Sequence, residues 1–349
     1  MMKKRILLFS VFIFCFSASH AQVGGSSTFA FLDVPASARI AAMGGTFISI
    51  KDNDPNAALQ NPALLNPSMT RHLFLNGVVY FDGVKFGDAG YVLDLKKLGT
   101  FMANMHYANY GDFQETDITG QVNGTFHAAD YNFNIGWGYQ LNPLFSIGAE
   151  LKGIYSNYYL YNSFGLGTDF GVAFSDTEHQ VTASIVARNV GVQLKTYVTD
   201  DREPFPSEVD AAISKRLIHT PFRFSLTYRH LEKFDLTYTD PNDVSEVDPL
   251  TGEAKVQTYG TFNQLSRHLI FGAEILFSQN FRLMTAYNFQ RKQELGISTA
   301  SGLTGLSFGI NLKISKINIC YGLATYHLAG AANHFSVAVN LADFTKKAN

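Results

Sequence analysis

The chain has 349 residues, and its 27 basic and 29 acidic side chains nearly balance, which excludes the basic bias of a nucleic-acid-binding protein. Charged residues make up only 16% of the chain, whereas Gly (29), Phe (30) and Tyr (17) are plentiful. Soluble domains rarely show this mixture, and so many aromatic side chains suit the interface girdles of membrane barrels. After the first residues no apolar run is long enough for a helical span, so we expect a membrane protein that crosses as strands.

The first residues have the pattern of a signal peptide. Three basic residues at positions 3–5 precede an apolar run from Ile6 to Phe16, and small residues follow the run. The run has about eleven residues, whereas a helix that spans a membrane needs about twenty. We therefore predict a cleaved signal peptide at residues 1–21 and export of the mature chain. Cys15 lies inside this peptide, and the bulky residues before it argue against lipidation.

Residues 22–71 differ from all that follows. This region contains four prolines and many small residues but no sustained alternation, which predicts loops with short helices. From His72 onward, apolar and polar residues alternate with the period of two that is typical of strands. We predict an N-terminal hatch segment at 22–71, packed in or under the lumen of a barrel at 72–344, and a short tail at 345–349.

The clearest alternation covers residues 130–141, where aromatic and aliphatic side chains alternate with Gly, Asn and Gln. Similar segments recur along the chain, each about ten residues long, which is the length a tilted strand needs to cross the hydrocarbon layer. A large periplasmic β-sandwich is the alternative, but its strands would be shorter and its Tyr and Trp tips would need polar partners in a dry core. We expect lipid-facing side chains at Phe133, Ile135, Phe170 and Phe308, and lumen-facing residues at Asn134 and Gly309.

Fourteen such segments can be counted, an even number, as a closed barrel with both termini on one side requires. They begin near residues 72, 86, 99, 128, 143, 162, 179, 207, 222, 267, 280, 303, 316 and 334. Every second link is short, and the others include long polar stretches such as 109–127, which we predict to be a loop. Short periplasmic turns opposite long external loops are the outer-membrane arrangement. The short links near 83–85 and 160–161 fit this rule less well.

No combination of residues points to catalysis. The histidines are scattered without ligand spacing, and the sequence contains neither a nucleophile elbow nor a P-loop. The stretch Lys51–Asp54 could bind Ca²⁺, but Pro55 and the missing downstream Glu break the loop pattern, so a solvated turn with capping side chains is the simpler interpretation. Cys320, the one cysteine of the mature chain, is expected to be a packed side chain. We therefore predict no enzymatic activity and no catalytic, cofactor-binding or metal site.

The connection from Lys233 to Ser266 is predicted to be a long, exposed and acidic loop. Such loops are usually only solvated, but a long exposed loop can also be a docking surface. The candidate partner-binding residues are Asp240, Asp243, Glu246, Asp248 and Glu253.

Two stretches of the N-terminal region resemble a known family. Phe31–Gly45 reads FLDVPASARIAAMGG, and Asp52–Pro67 reads DNDPNAALQNPALLNP. Together they resemble the opening of the PorQ proteins of the type IX secretion system, which belong to a wider group of FadL-like and PorV-like barrels. In that group a Gly-Gly turn, an acidic stretch and an Asn-Pro-Ala segment form an N-terminal hatch. The matching residues of the hatch motif are Arg39, Gly44, Gly45, Asp52, Asp54, Asn61 and Pro62.

The resemblance implies a non-enzymatic outer-membrane subunit of the attachment complex. Its partners would be a PorZ-like surface protein, PorU-like and PorV-like subunits, and outer-membrane lipid with lipopolysaccharide. A FadL-like transporter of hydrophobic small molecules is the alternative, and it would need an apolar pocket between hatch and wall. A general porin would need a wide bore, which about fourteen strands with a plug of about fifty residues do not leave. Arg39 is a lone cation among small residues, so we expect it to pair with carboxylates on the inner wall, such as Glu150 or Asp169.

Overall fold

The structure is a computed structural model that describes five stretches of the chain. They are residues 27–199, 201–237, 260–295, 302–327 and 330–345. The predicted signal peptide at 1–21, the five candidate partner-binding residues between Asp240 and Glu253, and positions 346–349 of the predicted tail lie outside these stretches.

Residues 27–71, called the N-terminal segment below, consist of short helices joined by turns. The α-helix α1 spans Ala38–Ala42, and 3-10 helices span Ala30–Asp33, Pro55–Leu59, Pro62–Leu64 and Pro67–Met69. Each of the last three begins with Pro directly after an Asp or Asn cap that accepts a backbone N–H. Pro has no N–H to satisfy at a helix start, and the cap satisfies the next one, so Asp-Pro and Asn-Pro pairs fix where these helices begin.

From residue 72 onward the described residues form fourteen antiparallel strands in one closed barrel. In chain order the strands are β1 (His72–Val79), β2 (Lys85–Asp94), β3 (Thr100–Thr116), β4 (Val122–Gln140), β5 (Phe145–Tyr158), β6 (Tyr161–Asp176), β7 (Val181–Lys195), β8 (Glu208–Arg216), β9 (Phe222–Tyr228), β10 (Leu269–Leu276), β11 (Phe281–Asn288), β12 (Leu306–Ile314), β13 (Ile317–His327) and β14 (Gly330–Asn340). Each strand pairs with its sequence neighbours, and β1 closes the ring against β14. Closure removes the sheet edges from the wall, so its backbone groups are paired internally, as lipid requires.

The two ends of the barrel differ in their connections. One end, called the short-turn end, has the links 95–99, 141–144, 177–180, 217–221, 277–280 and 315–316. The other, called the long-loop end, includes the α-helices α2 (Thr261–Arg267) and α3 (Phe289–Leu295). The helix α4 (Ala342–Thr345) follows β14, and 3-10 turns span Phe81–Gly83 and Lys96–Leu98. No helix in the described stretches is long and apolar enough to cross a membrane.

Apolar side chains cover the outside of the wall. Phe133, Ile135, Phe170 and Phe308 are 57%, 62%, 55% and 43% exposed, whereas Asn134 between the first two is buried on the lumen side. The alternation in the sequence therefore corresponds to an apolar face toward lipid and a small or polar face toward the lumen.

Aromatic side chains form rows on this outer surface. Tyr107, Tyr131 and Tyr155 are cross-strand partners on β3, β4 and β5. The ring centroids of Tyr107 and Tyr131 lie 5.0 Å apart, and those of Tyr131 and Tyr155 lie 6.3 Å apart. On the short-turn side of the same wall, Trp137 stacks on Tyr139 with centroids 6.0 Å apart. The tyrosine row on one side of the apolar residues of β4 and the Trp137–Tyr139 pair on the other side have the positions of aromatic girdles at membrane interfaces.

The predicted strand number and the positions of the short turns are confirmed, but several details differ. β4 begins at residue 122 and not near 128, and β14 begins at residue 330 and not near 334. The prediction of a loop at 109–127 is wrong, because most of this stretch continues β3 and β4 as a two-stranded ribbon. The ribbon extends past the neighbouring strands, so its residues do not have to alternate between an apolar face toward lipid and a polar face toward the lumen.

Candidate functional site: the filled lumen

The N-terminal segment lies inside the barrel and packs against its inner wall. Ala38 and Ile40 of α1 are fully buried, and α1 contacts β12, β13 and β14. The apolar residues of α1 form one cluster with wall residues that include Met284 and Cys320. Burial of this cluster stabilises the segment in the lumen through the hydrophobic effect.

Glycines on the wall make room for α1. A Cβ atom at Gly309 would lie 2.4 Å from the Cβ of Ala42, and one at Gly322 would lie 2.3 Å from the carbonyl oxygen of Ala38. Distances this short leave no space for any side chain. The lumen-facing glycines of β12 and β13 therefore let the helix backbone lie directly on the strands.

The opposite wall receives the Asn-Pro-Ala part of the segment in the same way. A Cβ atom at Gly148 would lie 2.2 Å from the carbonyl carbon of Pro62, and one at Gly171 would lie 2.1 Å from Oδ1 of Asn61. That oxygen accepts the backbone N–H of Ala63 at 3.0 Å. Asn61 and Pro62 of the hatch motif thus occupy a groove that glycines open in β5 and β6.

The Gly44-Gly45 turn ends α1 and contacts the wall. Both residues have positive φ, 87° and 98°, the left-handed region that favours glycine. A Cβ atom at Gly44 would also lie 2.5 Å from Cγ2 of Ile270. Nδ2 of Asn288 on β11 donates to the carbonyl oxygen of Gly44 at 3.0 Å. Both positions therefore favour glycine for backbone conformation, and Gly44 also requires it for space.

Arg39 is the centre of an ion cluster that joins the segment to the wall. Its side chain is 1% exposed, and its guanidinium nitrogens lie 2.8 Å from Oδ2 of Asp52, 3.0 Å from Oδ2 of Asp54 and 2.9 Å from Oε1 of Glu274. The guanidinium carbon also lies 4.4 Å from the centre of the Phe47 ring. Glu274 belongs to β10, so the cation links two acidic residues of the segment to one of the barrel.

Two further arginines of the wall complete the charge balance. Nη1 of Arg223 on β9 lies 2.7 Å from Oε2 of Glu274, and Nη1 of Arg282 on β11 lies 3.4 Å from Oδ2 of Asp52. Burial alone would raise the pKa of Asp52, but Arg39, followed by Arg282, lowers this pKa below its ordinary value. Burial would likewise lower the pKa of Arg39, and the surrounding carboxylates raise it instead. Asp52 and Arg39 therefore both stay ionised at neutral pH.

Two expectations about these residues need correction. Arg39 does pair with an inner-wall carboxylate, that of Glu274, but the example residues Glu150 and Asp169 are wrong. Those two carboxylates lie beside Lys152, whose Nζ is 3.9 Å from Glu150 and 2.8 Å from Asp169. The acidic stretch is not a solvated turn, since Asp54 is 6% exposed and Asp52 binds Arg39. The capping part of that interpretation agrees with the structure, because the Asp54 side chain accepts the backbone N–H of Asn56.

Sequence reasoning missed the wall residues of the ion cluster. Arg223, Glu274 and Arg282 are charged residues on lumen-facing positions of three consecutive strands, and Glu274 is the direct cross-strand partner of Arg223. Burying a single charge on the lumen face of a strand costs free energy unless the charge has a partner. The sequence of these strands therefore indicates that oppositely charged partners lie nearby. The signal does not tell which residue of the segment the wall charge meets.

Hydroxyl groups of the wall hold the backbone of the segment. Ser184 Oγ donates to the carbonyl oxygen of Ile48 at 2.5 Å, and Ser214 Oγ donates to that of Ser49 at 2.6 Å. The Asn61 side chain donates to the same Ile48 oxygen at 2.8 Å. These bonds satisfy carbonyl groups that would otherwise be buried without partners.

The space beside the segment is small and polar. A cavity of about 40 Å³ lies between Ile40 and the wall, and the wall contributes Asp88, Asn104, Asn134 and other polar side chains to its lining. At the long-loop end, above the segment, lies a vestibule of about 340 Å³. Its lining combines apolar groups, such as those of Val34 and Pro35, with several charged side chains.

Within the described stretches, no group of three or more His, Cys, Asp or Glu side chains is arranged to hold a metal ion. Cys320 is buried against the α1 cluster. The absence of a catalytic, cofactor-binding or metal site remains a prediction from the sequence.

No protein-family model matches the sequence, and no curated protein matches it. The fold is similar to that of the toluene transporter TbuX of Ralstonia pickettii, with a TM-score of 0.50 and 11% identity over 88% of this chain and 98% of that chain. The toluene transporter TodX of P. putida has a TM-score of 0.49 and 13% identity over 88% of this chain and 99% of that chain. A FadL homologue of Pseudomonas aeruginosa has a TM-score of 0.44 and 10% identity over 87% of this chain and 98% of that chain. At such identity the likeness to TbuX concerns the fold alone, which is the closed antiparallel barrel of outer-membrane proteins.

Proposed function

We propose that this chain is a non-enzymatic outer-membrane barrel that anchors a partner protein at the cell surface for the attachment of secreted cargo. The observation that carries the proposal is the filled lumen, in which the N-terminal segment is bound by the Arg39 ion cluster and seated on wall glycines. A barrel filled in this way has little space for a permeating solute, and it offers a rigid base for its external surface.

The sequence resemblance gives the proposal its partners. The residues that fix the segment to the wall include several of the PorQ-like stretches, with Arg39 and the Gly44-Gly45 turn foremost. By resemblance, the partner is a PorZ-like surface protein beside PorU-like and PorV-like subunits, and the cargo is attached to anionic lipopolysaccharide. The acidic loop residues from Asp240 to Glu253 remain predicted contacts for this partner.

Uptake of small hydrophobic molecules is the second candidate. The likeness of fold to a toluene transporter supports this role more directly than it supports attachment. The vestibule of about 340 Å³ also has room for a small ligand, and Phe205 lies in its lining. Against this role stands the polar character of the cavity beside the segment, where a hydrophobic solute would have to pass.

Deletion of the gene should separate the two roles. Cells without the protein are expected to release secreted cargo into the medium instead of holding it at the surface, because the partner has lost its anchor. Cargo at the cell surface and uptake of a radiolabelled hydrophobic solute should be measured in the same cells, with the complemented strain as control. Normal cargo attachment together with lost uptake would contradict the anchoring role and support the transporter.

A further inference from the structure

The ribbon of β3 and β4 projects beyond the rest of the rim at the long-loop end. β2 pairs with β3 only as far as Asn109, and β5 pairs with β4 only from Ala128. From Asp112 opposite His127 to Thr116 opposite Val122, the two strands therefore pair only with each other.

Side chains hold this ribbon in place on one face. A two-stranded ribbon is marginally stable in water by itself, so it needs such support. Phe113 stacks on Phe126 with centroids 5.4 Å apart, and Phe126 contacts Tyr159 with centroids 4.8 Å apart. The Tyr159 hydroxyl donates to Oε1 of Glu115 at 2.6 Å. At the tip, the Asp117 carboxylate accepts two backbone N–H groups of its own turn.

The outer edge of β3 along the ribbon is open. Beyond Asn109 no described strand pairs with this edge, so alternate N–H and C=O groups of residues 111–116 point away from β4. Natural edge strands usually carry Lys or Pro, which block pairing with a further strand. The stretch 110–116 reads YGDFQET and contains neither residue. Register shifts lie between Asn109 and Gly111 and between Glu115 and Thr116, and the edge between them is regular.

The ribbon is also acidic, and its one histidine, His127, has Nδ1 3.1 Å from Oδ1 of Asp112. Asp112, Glu115 and Asp117 lie within it, and the chain contains no Lys or Arg from residue 98 to residue 151. An incoming strand with basic side chains would therefore gain favourable cross-strand charge pairs, whereas an acidic strand would be repelled.

We propose that the outer edge of β3 at residues 111–116 docks an extended, basic segment of a partner polypeptide as a third strand. Main-chain hydrogen bonds to the open edge would supply affinity, and the acidic side chains would select the basic partner. The inference deepens the proposed function, on which it rests for the identification of the partner as the anchored surface protein.

A synthetic ten-residue peptide that alternates Lys and Val is the probe. With the purified full-length protein in detergent, we expect the peptide to slow amide hydrogen exchange at residues 111–116. The same peptide with N-methylated alternate amides, made in both registers, should bind more weakly in one register because its inward N–H groups are lost. A peptide that alternates Glu and Val should not protect these amides.

The double variant Asp112→Lys/Glu115→Lys should weaken binding of the Lys peptide about fivefold or more. Asp112 and Glu115 lie on opposite faces of the ribbon, so whichever face carries the lysines exchanges an attractive charge pair for a repulsive one. The control is Asp201→Lys/Glu203→Lys, which makes the same charge change in an exposed loop at the same end of the barrel. Equal weakening in both variants, or peptide binding without protection at 111–116, would overturn the proposal.

These measurements use purified protein and do not depend on cargo. Failure of the peptide to pair would leave the anchoring role standing. Normal pairing by a protein whose deletion leaves cargo at the cell surface would contradict the anchoring role alone.

Discussion

Arg39→Ala is expected to loosen the N-terminal segment and to destabilise the barrel by about 3 to 5 kcal/mol, the usual cost of removing one partner from a buried ion cluster. Asp54 would lose the Arg39 contact at 3.0 Å, while Glu274 would keep Arg223 and Asp52 would keep Arg282. The temperature at which the purified barrel unfolds in detergent, read from its gel mobility, measures the loss.

The matched control is Arg71→Ala, because Arg71 is exposed where the chain enters β1. Loss of an exposed cation should change stability by less than about 1 kcal/mol. Arg39→Ala/Asp54→Asn should regain part of the stability, since it removes the uncompensated carboxylate. An equal, small effect of Arg39→Ala and Arg71→Ala would mean that the ion cluster does not hold the segment.

Ile135→Arg is expected to destabilise the barrel by about 2 to 4 kcal/mol, because it places a cation on the lipid-facing band of β4. Ile135 is 62% exposed between the tyrosine row and the Trp137–Tyr139 pair, so the cost arises from transfer of charge into lipid and not from loss of packing. Unfolding in lipid vesicles by denaturant provides the measurement.

Ile135→Leu serves as the control and should be nearly neutral. In detergent, the free energies of unfolding of Ile135→Arg and Ile135→Leu should differ less than in lipid vesicles, because a micelle adapts more easily to a charge. A large loss from Ile135→Leu as well would show that this side chain is packed against protein and does not face lipid.

The barrel could be predicted from the sequence because the alternation of residues within each strand shows which side chains face lipid and which face the lumen. Phe133 and Ile135 on one face and Asn134 on the other are decided by period two alone, and the same rule applied along the chain gives the strand number. The ribbon at residues 110–127 was missed because polar residues and glycines dominate its sequence and Phe113 and Phe126 are isolated in it, so no sustained apolar period marks it.

The partner of Arg39 could not be predicted in the same way. Glu150, Asp169 and Glu274 are all acidic residues on lumen-facing positions. The period-two alternation does not show which of them is the partner of Arg39. The choice depends on how α1 is rotated and placed in the lumen, which is set by the glycines of distant strands, such as Gly309 and Gly322. Contacts of this kind join residues far apart in the chain, and no local pattern reports them.

The most direct test of the central claim, that residues 27–71 close the lumen, is the electrical conductance of the protein in planar lipid bilayers. The full-length protein should show no steady current, whereas a variant that lacks residues 27–66 should conduct steadily through the emptied fourteen-strand barrel. If that variant does not fold, Arg39→Ala should still show brief openings that the full-length protein lacks. A full-length protein that conducts as steadily as the shortened variant would contradict the claim.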